Sequence, residues 1–575
     1  MSINWSSEKF KPVTVLALCS VALSQQKSIQ SIQRIETESA REKERHKRQL
    51  QRQNNKKITA KMLPMKQVTI MTVIGSILVL LCSIFLGVFP SIFNSIVNKM
   101  LVLSRDSATL GDFISPPVPI YMQFYLFHVT NPDDIRFHGA KPKLKQVGPY
   151  TYAEVRTKHN MTWNDDDGTV TYLQDKSYFF REDMSHGLKE SDEITTINPI
   201  MVVLADFVDR YRTDQNKKLL DLIWTEIEVG FDIFATEAVG NTIFYGFDLP
   251  EFDFDFSNLS VIIPGVNVTE GLSGSLYDIL TKLNERGVID VEPPESLRSN
   301  QIHFLKNNTD DHPYEVKTGA QGLDDYLHIV SWNGKSSLSY WNDEYCDQIN
   351  GTDGTQFPPQ VSKDQALYIY TSELCRSLYL TYEKEVDVHG VTTYRFIPPK
   401  DALEDPLVNP DNQCFCYPNV SYCLHASMLN MAPCAFDAPI VLSTPHFYQG
   451  NQEDIDSIDG LSPHKEEHET YLDIEPNTGV AMRAMKKMQL NVPLKRYGSF
   501  PSFKNVPEVI FPIVWVNESA QIDEDTASSV RKALYSPFTI VDAICGTLIG
   551  IGALLILVGT WKFIGVRRAR NQQKL

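Results

Sequence analysis

Two uninterrupted apolar runs stand near opposite ends of the chain. Residues 68–89 are 22 residues without a charge, and 538–561 are 24 residues with one, Asp542. A hydrocarbon layer of ~30 Å needs ~20 helical residues, so each run predicts a membrane-spanning helix. The 448 residues between them, 90–537, are polar enough to fold in water. The pattern predicts a globular domain tethered at both ends rather than a channel bundle.

Within the domain the hydrophobic period changes with position. Pro116, Pro117 and Pro119 break the chain. Residues 120–129, aromatic and β-branched and closed by Asn131 and Pro132, predict a strand. Residues 149–155 predict another, and NDDDG at 164–168 followed by 169–173 predicts a hairpin turn and its return strand. Apolar positions with helical spacing then predict helices over 200–211 and 217–238, through Leu219, Leu220, Ile223, Ile227, Phe231 and Phe234. From about 313 short strands resume between Gly, Pro and Asn-Gly turns. Val480, Met482, Ala484, Met488, Leu490 and Val492 alternate, with Lys486 the exception. The fold class expected is α+β, mostly antiparallel strand with an early helical cluster.

Charge sets the orientation. The 67 residues before the first span carry 14 Lys/Arg against 5 Asp/Glu, and the tail after Trp561 is basic throughout, while the chain as a whole is −17. Basic flanks stay cytoplasmic, so both termini are expected in the cytoplasm and the acidic domain outside the cell or in a lumen. Residues 1–67 read as a cytoplasmic extension, with 36–52 a solvated helix. The apolar 13–23 segment is too short to span, and its cleavage as a signal peptide would leave a basic stretch on the wrong side. The acidic balance argues against nucleic acid as a partner.

Seven N-x-Ser/Thr sequons fall in the domain, at Asn160, Asn258, Asn267, Asn307, Asn350, Asn419 and Asn517, and predict a glycosylated surface; an eighth, at Asn4, should be idle. Of nine cysteines, Cys82 and Cys545 lie in the spans and Cys19 in the extension. Cys346, Cys375, Cys414, Cys416, Cys423 and Cys434 crowd one 89-residue stretch. An even cluster outside the membrane predicts three disulfides, with fifteen pairings open. A zinc site is disfavoured, since Cys414 and Cys416 are one residue apart and no His pair follows.

Ordered motifs make the chain resemble the scavenger receptor class B family over roughly 65–565. They are QVGPYTY at 146–152, LSYW at 338–341, CDQINGTDG at 346–354, FPP at 357–359, CRSLY at 375–379 and YRF at 394–396. Further on come NPDNQCFC at 409–416, PHF at 445–447, IDG at 458–460 and HETYLDIEP at 468–476. The resemblance implies an antiparallel β-barrel-like core, an apical helix bundle placed at about 198–240, and a lipid tunnel. It also implies the pairs Cys346–Cys414, Cys375–Cys434 and Cys416–Cys423. Lipids, fatty acids or lipoprotein particles are the implied ligands, passed to the membrane from a receptor at the cell surface. The alternatives are a lysosomal or endosomal sorting receptor for a luminal enzyme and a phagocytic or adhesion receptor. The C-terminal tail carries no acidic-dileucine signal.

No catalytic constellation is visible, so neither an enzyme nor a cofactor is expected. The nearest nucleophile elbow, GLSGS at 271–275, ends in Ser. Gly334, Lys335 and Ser336 lack the upstream glycine of a phosphate loop, and NDDDG lacks the outer ligands of a calcium loop. His464 and His468, beside Pro463 and two glutamates, read as a solvated loop rather than a metal site. Arg210, Arg212, Lys217 and Lys218, at the ends of the predicted helices, are either ordinary solvated helix ends or an apical patch for carboxylates and anionic particles. Gly546, Gly550, Gly552 and Ala553 form a small-residue stripe that could pack the first span or a second copy of the chain.

Overall fold

The computed structural model describes residues 65–248, 251–254, 272–290, 298, 301–302, 305–341, 343–435, 437–498 and 500–572. Expectations for residues 1–64, and for Asn258 and Asn267, lie outside the described residues. The described residues form two compact units, one from 65–83 with 546–572 and a larger one within Ile84–Cys545.

The larger unit begins inside helix α1 (Met65–Leu101). Its first strands are β1 (Ile120–Val129), β2 (Leu144–Asn164) and β3 (Thr169–Phe180). The NDDDG turn joins β2 to β3: Asn164 Oδ1 accepts the Asp167 amide at 3.2 Å. β4 (Glu193–Ile197) leads into α2 (Pro199–Tyr211) and α3 (Lys217–Gly230). Asn198 caps α2 by accepting the Ile200 amide at 3.1 Å, and Pro199 sits in the first turn, where a missing N–H is harmless.

The helix expected over 217–238 stops at Gly230. Glycine weakens a helix interior, and Phe234–Ala238 forms β5, pairing with β4 from Glu193↔Ala238 to Ile197↔Phe234. Phe231 and Phe234 fit a helical period, but β4 supplied a partner that periodicity cannot see.

Further elements include α4 (Leu276–Glu285), β6 (Tyr314–Lys317), β7 (Ile329–Trp332), β8 (Leu367–Thr371), β9 (Arg376–Val388) and β10 (Val391–Ile397). β11 (Met428–Asn430), β12 (Val441–Ser443), β13 (Tyr471–Ile474), β14 (Ala481–Leu494) and β15 (Val509–Gln521) follow. Helices α5 (Glu524–Leu534) and α6 (Ser536–Gln572) end the chain.

One 14-stranded sheet dominates, with path β7-β6-β3-β2-β1-β15-β14-β13-β10-β9-β8, β11-β12 branching from β14, and the two-residue strand Thr309–Asp310 pairing with β3. Neighbours on that path run antiparallel. Its edges β7 and β8 meet across one short segment. The Ile329 amide donates to Gly351 O at 2.8 Å, and the Tyr370 amide donates to Thr352 O at 2.9 Å. The sheet is therefore a nearly closed, barrel-like antiparallel structure. Gly351 has φ +83°, and a Cβ there would lie 1.9 Å from Tyr368 O, so the seam requires glycine.

Phe124, Tyr150 and Tyr152 from the sheet share a buried core with Val202, Ala205, Trp224, Ile227 and Leu280 from α2, α3 and α4. Trp224 stacks on Phe500 with ring centroids 4.2 Å apart. Each such side chain contributes ~1.5–3 kcal/mol by leaving water, which fixes the helices on the sheet.

In the smaller unit α1 and α6 touch through glycines. A Cβ on Gly75 would lie 2.5 Å from Gly552 O, and one on Gly559 would lie 2.4 Å from Thr72 Cγ2. Small residues permit such close helix approach in lipid. Of the predicted stripe Gly552 makes this contact, while Gly546 and Gly550 meet nothing within 4 Å. Ile70, Leu80, Leu81, Leu554 and Leu557 are exposed. Two helical stretches, Val68–Leu101 and Glu524–Gly565, are long and apolar enough to cross a membrane.

Candidate functional site

Three disulfides join Cys346 to Cys414, Cys375 to Cys434 and Cys416 to Cys423. The second anchors the start of β9, where Trp341 Nε1 also donates to Cys375 O at 2.7 Å. Both restraints hold Arg376, the next residue, in place.

The described sequons differ in presentation. Asn160, Asn307 and Asn419 are exposed and Asn350 is half-buried. Asn517 lies mid-strand in β15, its Nδ2 donating to Gln123 Oε1 at 2.8 Å.

The four helix-end cations are not a free basic patch. Arg210 pairs with Asp206 and lies 3.7 Å from Asp437. Arg212 bonds Asp221 through two nitrogens at 2.8 and 2.9 Å, and Lys217 bonds Asp214 at 2.8 Å. Lys218 is exposed and among the described residues has no carboxylate partner. Three of the four charges are thus already answered by an acid.

A charged layer that the strand patterns did not announce crosses the barrel interior. On β2 the even positions Tyr150, Tyr152, Glu154, Arg156 and Lys158 share one face. The register sets Arg156 opposite Lys176 on β3, and Glu518 on β15 opposite Lys486 on β14. Arg156 bonds Glu154 at 2.6 Å and Glu518 at 2.5 Å. Lys486 lies 3.5 Å from both Glu518 and Glu373, and Lys176 bonds Glu373 at 2.8 Å. Three acids and three bases thus close one chain of contacts. Burial works against the Glu518 charge, yet Lys486 and Arg156 hold its carboxyl well below the usual range. Glu518 and Glu154 likewise keep Arg156 above its usual range against burial. Nearby Lys158 donates to Phe113 O at 3.2 Å and lies 4.6 Å from the Phe113 ring centre, and burial lowers its pKa.

Beside this layer an apolar cavity of about 120 Å³ opens between β8, β9, β11, β12 and β14, walled by Leu378, Leu380, Leu429, Leu442 and Met488. Arg376 lines it and also a second hollow of about 20 Å³. Burial pushes the Arg376 guanidinium down to about 9.

His468, another cavity residue, corrects the solvated-loop expectation. Lys465–His468 is a short helix, and His468 is buried. Its ring stacks on His446 with centroids 4.4 Å apart and meets Trp515 edge-on at 5.5 Å. His464 itself stays exposed. His468 Nδ1 accepts the His464 amide at 2.8 Å, and His446 Nδ1 accepts the Ser462 amide at 3.0 Å. Gln146 Oε1 accepts from Trp515 Nε1 and lies 2.7 Å from His446 Nε2. Both rings are held neutral. Burial, then neighbouring histidines, pushes His446 down to about 3, and burial, then Lys487 and His464, pushes His468 down to about 4. No group of three or more metal-ligating side chains occurs among the described residues.

Gln146, His446 and His468 come from three of the ordered motifs and converge on one point of this barrel. A sequence model of the CD36 family matches residues 73–563. The chain belongs to the CD36 family. Lysosome membrane protein 2 of Homo sapiens is 32% identical over 468 residues, covering 81% of this chain and 88% of that protein. Sensory neuron membrane protein 2 of Ostrinia furnacalis is 30% identical over 454 residues, covering 76% and 82%. Scavenger receptor class B member 1 of Mus musculus is 30% identical over 463 residues, covering 80% and 82%. With its two terminal spans, this CD36-family chain is a two-pass membrane protein of a receptor family. Within it, sequence reasoning missed Glu154, Arg156, Lys176, Glu373, Glu518, Arg376 and His446. The available signal was parity: charges at the same alternating positions as apolar residues, of which Lys486 is the plainest.

Proposed function

We propose that this CD36-family protein is a membrane receptor whose domain, facing outside or into a lumen, takes the apolar part of a lipid into its barrel and passes it to the bilayer. The supporting observation is the 120 Å³ cavity, walled by aliphatic side chains inside a nearly closed sheet. A chain of ~12–18 methylenes loses ~10 kcal/mol or more when forced into water, at ~0.8 kcal/mol each, so an apolar interior removes most of the barrier to transfer. The step needs no catalytic group. At its present size the cavity is close to the ~150 Å³ that holds a benzene and below the ~300 Å³ of common ligand sites. It admits the end of a chain or the edge of a sterol. The basic flanks support cytoplasmic termini, and Asn160, Asn307 and Asn419 are the sequons best presented for glycans.

The test is uptake of labelled fatty acid and cholesteryl ester by cells expressing the full chain, compared with an empty vector. Expression should raise uptake, and Leu442→Trp, which fills the cavity, should remove the gain. Normal uptake by a surface-delivered Leu442→Trp protein would refute this cavity as the route. A second reading, residence in an endosomal or lysosomal membrane, is favoured by the 32% identity to Lysosome membrane protein 2. Microscopy against a lysosomal marker separates the two locations.

A further inference from the structure

Arg376 brings a charge without a countercharge to an apolar wall. The residue is 6% exposed. Its Nε lies 3.4 Å from Ser377 O and its Nη2 3.5 Å from Ala402 O, and its guanidinium carbon lies 3.5 Å from the Phe415 ring centre. A guanidinium has five N–H donors, and bonds of that length satisfy two of them weakly. Among the described residues no Asp or Glu pairs with it. The one acid lining the smaller hollow, Glu404, is bonded to Lys400 at 2.9 Å. The other cations on the cavity wall are provided for: Lys486 has Glu373 and Glu518, and Lys487 has Glu469 and Glu467 nearby.

An unanswered charge held this far from water is expensive. Here the Cys375–Cys434 bond and the Trp341 contact fix its backbone, and Phe415 stacks on its plane. The side chain is therefore positioned before any partner arrives, lining both the aliphatic chamber and the water-sized hollow.

We propose that Arg376 anchors the carboxylate of an amphiphile whose hydrocarbon chain fills the adjoining cavity. This rests on the lipid-binding reading above and adds the residue that selects the head group. A carboxylate matches the guanidinium fork through two parallel hydrogen bonds. Space beside the guanidinium is tight, the hollow that Arg376 also lines holding only about 20 Å³, which favours a carboxylate over a bulkier phosphate. Neutral alcohols and esters would enter the same chamber without that anchor.

The experiment uses the full chain in lipid nanodiscs at pH 7.5, titrated calorimetrically with hexanoate, 1-hexanol and hexyl phosphate, with empty nanodiscs as the blank. Hexanoate should bind about tenfold or more tightly than hexanol, the factor a charge-assisted pair supplies, and hexyl phosphate should bind more weakly than hexanoate. Arg376→Gln should bring hexanoate to the level of hexanol and leave hexanol unchanged; Arg376→Lys should keep part of the preference. The wild-type comparison needs no variant, so a misfolded Arg376→Gln protein does not spoil the test. Equal affinity for hexanoate and hexanol would overturn the anchor and leave the lipid-binding cavity standing. Tighter binding of hexyl phosphate would overturn the head-group assignment. Failure of all three ligands to bind would overturn the cavity reading together with the anchor.

Discussion

Two charged regions, one half-buried and one buried, lie side by side in this barrel, and they are built on opposite terms. In the layer of Arg156, Lys176, Lys486, Glu154, Glu373 and Glu518, each cation has an acid within 2.8 Å or is shared between two at 3.5 Å. Across the cavity Arg376 has two long carbonyl contacts and an aromatic face. Removing charges from water is costly in either place, and the supply of partners differs. A closed network specifies a structure, whereas an open cation holds binding capacity in reserve.

The sharpest way to break the contrast is Glu518→Gln. It strands the half-buried Lys486 and Arg156 and should destabilise the domain by up to ~3–5 kcal/mol, read as a large fall in thermal midpoint and poor surface delivery. Adding Lys486→Met should recover part of the loss.

A pH series gives the next effect. His446 and His468 sit at about 3 and 4, below the ordinary ~6.5, so the unfolded chain binds more protons between those values. Their stabilising contribution is complete above pH ~6.5 and is lost as pH falls towards 4, by on the order of 1–2 kcal/mol per histidine at pH 5. Thermal unfolding at pH 7.5 and 5.0 should show this loss, and a His446→Gln, His468→Gln double variant should lose most of the difference.

Arg376→Met tests the open cation directly. Without ligand it should leave stability within ~1 kcal/mol of wild type or raise it, because an unpaired buried charge is replaced by a thioether of similar length. A loss of ~3–5 kcal/mol, like that at Glu518, would mean that the two regions are alike. Smallest of all, Lys218→Glu on the exposed end of α3 should shift stability by under ~0.5 kcal/mol, as a solvated helix end predicts.

What the chain disclosed beforehand follows from range. The two spans, β1, the β2–β3 hairpin, α2 and β14 were legible because each is a local pattern within one window of sequence. Lys486 was legible as an interruption, without its meaning. Its meaning needed Glu373, held in a turn between β8 and β9, and Glu518 on the neighbouring strand. Arg156 and Glu518 are 362 residues apart and Lys176 and Glu373 are 197 apart, and no period reports such meetings. The same limit extended α3 past Gly230, since β5 is a strand only because β4 lies beside it. It also placed His468 in solvent, because the covering Trp515 comes from β15. The disulfide pairing was never in the spacing; fifteen choices stood until the motifs were matched to a family.

The place of β1 has a consequence for how the molecule is made. It lies between β2 and β15, and its Gln123 bonds a residue 394 positions later in the chain. A ribosome adding ~5–20 residues per second leaves one side of β1 bare for roughly 20–80 s. During that interval an aromatic edge waits in the secretory compartment, open to pairing with any other nascent strand. Safe delivery of this protein therefore depends on what shields that edge until the last strand emerges.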